Sequence, residues 1–391
     1  MRALLLVLLI PAAALANGAF PSARQVLALQ AEPRRILLGA TIGVVFTDDA
    51  GASWRYVCES YITGGPNVVL YAEETDGTLL ALSSKLSRST DGGCSWTSVP
   101  APGNGAAWTD VFADPVQPAR VLAIASTAAR SGIWISNDGG QSFPSQLLDA
   151  AEPLASVESA ATRPDTIYAT GAAALLRTAD GGASWGRAQL PVTAPAVVRI
   201  IAVSPADPAT LWLRVSHPPA AAEEVLVSTD SGASFTTLYR SDRPLTGFAR
   251  GTDGTVFLAD GEAGILARAP RASAFRRLPG PHLLCLFASG SRLFGCADGL
   301  RDTYDAATSD DGGATWQPLL SLTTLLGPAT CPAVASACAS DWQFQQALLA
   351  SARQKVAASG CGCRSAGAEG WLMAALVFAA HRFRPRRGGA A

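Results

Sequence analysis

An octapeptide that recurs along the chain constrains the fold more than any other feature of the sequence. Six copies fit the pattern Ser/Thr-x-Asp-x-Gly-x-Ser/Thr-Trp/Phe, at residues 47–54, 89–96, 136–143, 178–185, 228–235 and 309–316. Their third-position aspartates are Asp49, Asp91, Asp138, Asp180, Asp230 and Asp311, and their closing aromatic residues are Trp54, Trp96, Phe143, Trp185, Phe235 and Trp316. Such self-similarity at a fixed period predicts an array of equivalent structural units.

The spacing of the copies gives the number of units. The aspartates are separated by 42, 47, 42, 50 and 81 residues, so the last interval is about twice the others. A degenerate copy is therefore expected near residues 268–275, where Ala272 to Phe275 keep the Ala-Ser-x-Phe ending without the Asp and Gly. Seven units of this size predict an all-β, seven-bladed β-propeller of four-stranded antiparallel blades over residues 17–328.

The octapeptide has the chemistry of a turn. An Asp side chain accepts hydrogen bonds from nearby backbone N–H groups, the Gly tolerates the left-handed region, and the aromatic residue starts the next strand. The pattern resembles the Asp-box, or BNR repeat, of sialidases, sortilin-type receptors and xyloglucanase-type hydrolases. That resemblance implies boxes between the third and fourth strands of each blade, away from any binding face. The six aspartates are thus expected to be structural rather than catalytic.

The cysteines suggest how a ring of blades is held closed. If every blade comes from one continuous stretch, no strand crosses the closure, and a disulfide from Cys58 to Cys331 or Cys338 is expected to latch the ring. Cys285 and Cys296 flank a Gly-Ser turn and are possible cross-strand partners. No CxxC pair occurs and the three histidines are scattered, so neither a metal site nor a cofactor is expected.

The N-terminus indicates export. An uncharged apolar run follows Met1-Arg2, and small residues before position 17 predict a signal peptide over 1–16, cleaved by signal peptidase between Ala16 and Asn17. The run is too short for a comfortable permanent anchor. A buried N-terminal core helix is the alternative interpretation.

The C-terminal region divides into two segments. Residues 329–358 form a Cys-containing segment in which 341–355 is predicted to be helical. Residues 359–391 contain Cys361-Gly362-Cys363, a hydrophobic segment at 370–380 predicted as a short helix, and an Arg-rich end. This order resembles the myxobacterial-type C-terminal sorting signal.

That resemblance implies processing at Cys361 or Cys363 by a sorting protease. It also implies transient inner-membrane anchoring through the C-terminal segment, and display on the surface or outer membrane of a Gram-negative bacterium. The apolar segment is marginal for spanning a bilayer, and its arginines would stay cytoplasmic. A weak permanent transmembrane anchor and a solvated basic tail are the alternatives.

Composition and motif content narrow the function. With 49% hydrophobic residues the chain is not disordered, and a net charge of −1 argues against a nucleic-acid partner. Sialidases carry an Arg-Ile-Pro motif for the substrate carboxylate, whereas Arg34-Arg35-Ile36-Leu37 here lacks the Pro. The loop with Arg301, Asp302, Tyr304 and Asp305 is the best candidate for a polar binding patch.

These observations favour a surface-attached binding or scaffold module for a protein or glycan ligand, without an identifiable catalytic site. A glycan-directed hydrolase, exo-sialidase-like or another glycosidase, with a divergent site on the loop face is the main alternative. An assembly factor is a further alternative.

Overall fold

The structure is a computed structural model that describes residues 21–28, 32–64, 70–83, 85–171 and 173–359. The predicted cleavage point at Ala16 and Asn17 lies outside the described residues. So do Cys361, Cys363 and the apolar segment that follows them.

The chain is an all-β propeller of small antiparallel blades. Five separate sheets contain four strands each, and each is built from one continuous stretch of chain in sequence order. The first two are β1 (Ala23–Ala28), β2 (Ile36–Ala40), β3 (Gly43–Thr47) and β4 (Arg55–Cys58), then β5 (Leu70–Glu73), β6 (Leu79–Leu82), β7 (Leu86–Ser89) and β8 (Thr97–Val99). The third is β9 (Ala107–Ala113), β10 (Val121–Ser126), β11 (Ser131–Ser136) and β12 (Ser145–Ala150). The fourth is β13 (Ser156–Ala160), β14 (Arg163–Thr170), β15 (Ala174–Thr178) and β16 (Gly186–Gln189), and the fifth is β17 (Val197–Val203), β18 (Leu211–Ser216), β19 (Glu223–Ser228) and β20 (Thr236–Ser241).

The last seven strands form a single sheet. They are β21 (Gly247–Arg250), β22 (Val256–Ala259), β23 (Ala263–Arg268), β24 (Arg276–Ser289), β25 (Arg292–Ala297), β26 (Ala306–Ser309) and β27 (Gln317–Leu320). The prediction of seven separate four-stranded blades is therefore wrong. Five blades are separate sheets, and the remaining seven strands form one continuous sheet. The reason is β24: its first half pairs with β23 and its second half, from Leu283, pairs with β25, with no turn between them.

The sheets are arranged around a common centre. The first strands β1, β5, β9, β13 and β17 pack side by side in that order, and β24 packs against both β21 and β1. The apolar cores lie between neighbouring sheets: one joins Leu80 and Leu82 to Trp108 and Val121, for example. Each sheet thus buries both of its faces against its neighbours, which explains the nearly continuous apolar runs in the second strands.

The chain beyond β27 returns to the first sheet and latches it. After a 3₁₀ helix at Leu322–Thr324, Leu326 N–H donates to Trp54 O at 3.0 Å, Tyr56 N–H to Gly327 O at 3.1 Å, and Ala329 N–H to Tyr56 O at 2.9 Å. This segment therefore runs parallel to the outer strand β4. The short helices α1 (Glu59–Thr63) and α2 (Gly299–Asp302) lie in loops, and α3 (Pro332–Ala337) and α4 (Ala339–Ser359) follow the latch.

Three disulfides reinforce this arrangement. Cys58 is bonded to Cys338 and Cys94 to Cys331, so both connect the first two sheets to the C-terminal segment. The third joins Cys285 to Cys296, which face each other across β24 and β25. Three disulfides among the described residues indicate an exported protein, because thiols stay reduced in the cytosol. Among the described residues, no helix is both long and apolar enough to cross a membrane.

Candidate functional site

All six boxes connect the third and fourth strands of their repeats and share one hydrogen-bond pattern. In the last box, Ser309 Oγ donates to Asp311 Oδ1 at 2.8 Å and accepts from Gly313 N–H at 2.8 Å. Thr315 donates its N–H to Oδ1 at 2.9 Å and its hydroxyl to Oδ2 at 2.6 Å. These bonds, the Thr315 hydroxyl first, lower the pKa of Asp311 to about 2. Both carboxylate oxygens are thus occupied in holding the turn.

The degenerate copy between β23 and β24 closes its turn differently. Arg268 Nε donates to Ala272 O at 2.8 Å, and Ala272 N–H donates to Ala269 O at 3.0 Å, so this turn closes without a carboxylate. Phe275 keeps the aromatic position and packs edge-on against Tyr239 of the fifth sheet, with ring centroids 5.1 Å apart.

The polar patch expected from the sequence is mostly engaged in local contacts. Asp302 accepts from the backbone N–H of His282 at 2.9 Å, and Arg301 pairs with Asp298 at 3.4 Å. Asp305 is buried and accepts from Leu322 N–H at 2.7 Å, and burial raises its pKa to about 6. Tyr304 is half-buried beside a groove of about 360 Å³. The four residues are neighbours in the chain, and the polar contacts of Asp302, Arg301 and Asp305 are made to different partners: His282, Asp298 and Leu322.

A cavity of about 300 Å³ lies among β1, β17, β18, β21, β22 and β24 and has a mixed apolar and cationic lining. The inner strands β1, β17 and β24 contribute to its lining, whereas β5, β9 and β13 do not. We call it the central cavity and define it by Arg24, Ile201, Arg214, Phe248 and Phe287.

The two arginines of the central cavity differ in their freedom. Arg214 is fixed by a bidentate pair with Glu223, at 2.7 and 2.6 Å, and the same carboxylate accepts from Leu245 N–H at 2.7 Å. Arg24 is exposed on β1. A ligand in the cavity would thus meet two aromatic rings and an accessible guanidinium, the mixture typical of binding pockets.

Two carboxyl groups lie on neighbouring inner strands elsewhere in the ring. Asp110 on β9 accepts from Val157 N–H at 2.9 Å, and Glu158 on β13 accepts from Val203 N–H at 3.1 Å. Each carboxyl group thus joins its own sheet to the next sheet in the ring. Burial raises the pKa of Asp110 to about 7, against the N–H of Val157 and the charge of Arg199. Burial and the charge of Asp110 raise the pKa of Glu158 to about 8.

None of these inner residues was predicted from the sequence. The predicted patch lies in a loop, whereas Arg24, Asp110, Glu158 and Phe248 lie on first strands. The sequence pattern that could have identified them is a charged residue within the otherwise apolar first strand of a repeat. Within the described residues, no group of three or more His, Cys, Asp or Glu side chains is placed to hold a metal ion.

Comparisons with known proteins reveal similarity of fold alone. No protein-family model matches the sequence, and no curated protein is detectably similar to it. Among solved structures, an ancestral GH74 enzyme superimposes with a TM-score of 0.59 at 15% identity, covering 77% of this chain and 47% of the enzyme. The chain therefore spans about half the length of that enzyme.

Two further structures are similar. YCF48 from Cyanidioschyzon merolae gives a TM-score of 0.51 at 16% identity, over 70% of this chain and 92% of that protein. Saccharomyces cerevisiae Sqt1 gives 0.50 at 10% identity, over 76% and 84%. These matches support the propeller fold.

Proposed function

We propose that this chain is an exported Asp-box propeller whose central cavity binds a protein or glycan ligand. The observation that carries the proposal is the cavity itself, in which Phe248 and Phe287 offer apolar surface and Arg24 offers hydrogen-bond donors. Aromatic rings with a few placed polar groups suit both sugar rings and peptide side chains. We count seven units in the ring by treating the two halves of β24 as the last strand of the sixth and the first strand of the seventh.

A binding experiment on the full chain tests this proposal. Glycan and peptide arrays identify a ligand, and titration calorimetry compares wild type with Arg24→Ala and Phe248→Ala. Each variant is expected to weaken binding at least tenfold. Arg130→Ala is the matched control, because Arg130 is an exposed arginine paired with Asp149 outside the cavity. Equal binding by all four proteins would refute the cavity as the site.

A glycoside hydrolase is the second candidate. It is favoured by the carboxyl pair Asp110 and Glu158 with raised pKa values, since glycosidases use two carboxyl groups and perturbed pKa values cluster at active sites. A GH74 enzyme among the structural neighbours is compatible with this candidate. Turnover of any glycoside that Glu158→Gln abolishes would establish it, and binding without turnover would reject it.

The sorting of the protein remains a proposal from the sequence. We infer removal of residues 1–16 by signal peptidase and processing near Cys361 or Cys363 by a sorting protease, leaving the propeller on the cell surface or outer membrane. Mass spectrometry of the mature protein should find Asn17 at the N-terminus and an end or modification at one of the two cysteines. A mature chain that still ends at Ala391 would contradict the sorting signal.

The loop patch of Arg301, Asp302, Tyr304 and Asp305 also stays a proposal. Arg301 is exposed and Tyr304 lines the neighbouring groove, so Tyr304→Ala belongs in the same titration series. Loss of binding in that variant alone would place the ligand at the loop instead of in the central cavity.

A further inference from the structure

The sixth repeat carries two aligned arginines at the edge where the other repeats carry their boxes. Arg250 ends β21 and Arg268 ends β23, and each is the direct cross-strand partner of Val256 on β22. Residues that face each other across antiparallel strands have their side chains on the same face of the sheet. The two arginines therefore project from one face, with their Cα atoms about 9.6 Å apart, or two strand spacings. We call this pair the arginine row.

The arginine row is specific to the sixth repeat. Arg268 occupies the first position of the degenerate box, where the other copies have Ser or Thr, and Pro270 stands in place of the box aspartate. In the other six repeats, the first- and third-strand residues at the same register are Ala28 and Thr47, Glu73 and Ser89, Ala113 and Ser136, Ser159 and Thr178, Val203 and Ser228, and Ala288 and Ser309. None of these residues, all within the described part of the chain, is an arginine. The sixth repeat has thus exchanged a carboxylate-centred turn for a cationic one.

The edge around the arginine row is positively charged. Arg271 and Arg276 are exposed in and next to the turn that follows β23. Within the described residues, neither they nor the arginine row take part in an ion pair, in contrast to neighbouring arginines. The turn that follows β21 contains Asp253, whose two carboxylate oxygens both accept hydrogen bonds from Thr255, at 2.9 and 2.8 Å. Four arginines against one aspartate leave an excess of three positive charges, which attracts anionic groups.

Both side chains of the arginine row are held in place. The guanidinium of Arg250 lies over the ring of Trp212 in the fifth sheet, with its Cζ atom 5.5 Å from the ring centroid. Arg268 is anchored by the hydrogen bond from Nε to Ala272 O, which leaves its two Nη groups to donate elsewhere. Guanidinium groups that are already positioned lose little conformational freedom when they bind an anion. The row is therefore prepared to accept carboxylates.

We propose that the arginine row binds an acidic segment of a partner polypeptide. Carboxylates form short, charge-assisted hydrogen bonds with guanidinium groups. Alternate side chains of an extended peptide lie on one face of it, about 6.7 Å apart, so two acidic residues in such positions can face Arg250 and Arg268 together. The site lies on the box edge and is separate from the central cavity, whose lining contains neither arginine of the row.

The surroundings of the row favour a polypeptide over an acidic polysaccharide. The half-buried rings of Tyr239 and Phe275 pack in the same apolar cluster as Val256, the residue between the two arginines. Arginine and aromatic residues are enriched together at protein-binding surfaces. We therefore assign the row to a protein partner, and an acidic polysaccharide becomes an outcome of the test.

Fluorescence anisotropy with the full chain tests this second site. The probe is a labelled octapeptide of alternating Glu and Ser, compared with one of alternating Lys and Ser. We expect saturable binding of the acidic peptide alone, weakened at least fivefold in Arg250→Gln and in Arg268→Gln. Arg271→Glu should weaken it as much, and because this side chain is exposed in a turn, the variant changes charge without removing a buried contact. The matched control is Arg163→Glu, since Arg163 is exposed on the same edge of the fourth repeat.

Three results would overturn the proposal: no saturable binding of the acidic peptide, equal weakening by Arg163→Glu, or tighter binding of tetragalacturonate, which carries the same number of carboxylates as the peptide side chains. The last result would identify an acidic polysaccharide as the ligand instead. Because Arg268 and Arg271 do not line the central cavity, ligand binding there is expected to be unchanged in their variants.

Discussion

At the scale of single residues, the boxes require two consecutive residues in the left-handed region. Positions four and five of each box have positive φ, and most copies use Gly-Gly there, as in Gly139 (φ 70°) and Gly140 (φ 74°). The first and fifth boxes place Ala50 (φ 63°) and Ser231 (φ 61°) at position four instead. A residue with a Cβ atom is strained in this region. At these two positions the repeat therefore has a residue that is less favourable for the turn than the Gly of the other copies.

Substituting Ala50→Gly should stabilise the protein. Removing the Cβ atom relieves about 1 kcal/mol or more of left-handed strain, and the extra freedom of the unfolded chain offsets part of that gain. The expected net effect is roughly 0.5 kcal/mol, measured by urea denaturation. Ala52→Gly in the same turn is the control, since Ala52 has no positive φ, and it should destabilise. Stabilisation by both substitutions would contradict the assignment of strain to Ala50.

Glu158 should make stability depend on pH. Its pKa is raised to about 8 in the folded protein. The contribution of the protonated carboxyl group to the free energy of unfolding is therefore complete below the ordinary pKa range of glutamate and is lost as pH rises through 8. Glu158→Gln does not titrate and should gain stability relative to wild type between pH 5 and pH 9. The expected gain is on the order of 1–3 kcal/mol, reduced by partial solvent screening. Thermal denaturation at both pH values measures it.

The control for this prediction is Glu262→Gln, an exposed carboxylate paired with Arg243. Its stability relative to wild type should vary less with pH than that of Glu158→Gln. If the two variants follow the same pH profile, the carboxyl group of Glu158 is not held in its neutral form by burial.

At the scale of elements, the C-terminal latch is the part of the ring closure that differs from the rest. The other sheets meet through apolar faces. The first sheet also gains a parallel strand segment and the disulfide Cys58–Cys338, and the second sheet is joined to the same C-terminal segment by Cys94–Cys331. Trp342 of α4 adds a ring contact with Tyr56, with centroids 5.3 Å apart. The latch thus joins residues that are more than two hundred positions apart in the chain.

Removing the latch disulfide should cost more stability than removing the cross-strand one. Cys58–Cys338 spans 280 residues and Cys285–Cys296 spans 11. Because Cys94–Cys331 still closes most of the longer span, Cys58–Cys338 constrains about 43 further residues, and the loop-closure model then gives roughly 4 and 3 kcal/mol for the two bonds. Paired Cys→Ala variants compared by guanidinium denaturation give the two values. A larger loss for the Cys285–Cys296 pair would show that local packing outweighs loop closure.

The sequence predicted the elements better than the way they join. The box positions and the pairing of Cys285 with Cys296 follow from local patterns, because a turn and its flanking strands are short-range structures. The continuity of β24 does not follow, since Pro279-Gly280-Pro281 reads as a turn and is extended in the structure. The choice of Cys338 over Cys331 for Cys58 depends on how the C-terminal segment crosses β4. The inner residues of the candidate site were missed because their meeting depends on ring closure.

At the scale of the whole molecule, closing the ring creates the features to which we assign function. The central cavity is lined by strands from both ends of the chain, so it exists only when the first sheet meets the seven-stranded sheet. The boxes, by contrast, hold turns. We therefore expect ligand binding and the closure of the ring to be lost together when the latch is removed.

The most direct test of the central claim is a crystal structure of the full chain with the tightest ligand found on the arrays. The account predicts ligand density in the central cavity, in contact with Phe248 and Phe287 and within hydrogen-bond distance of Arg24. Density on the loop at Tyr304, with the central cavity left unchanged, would contradict it.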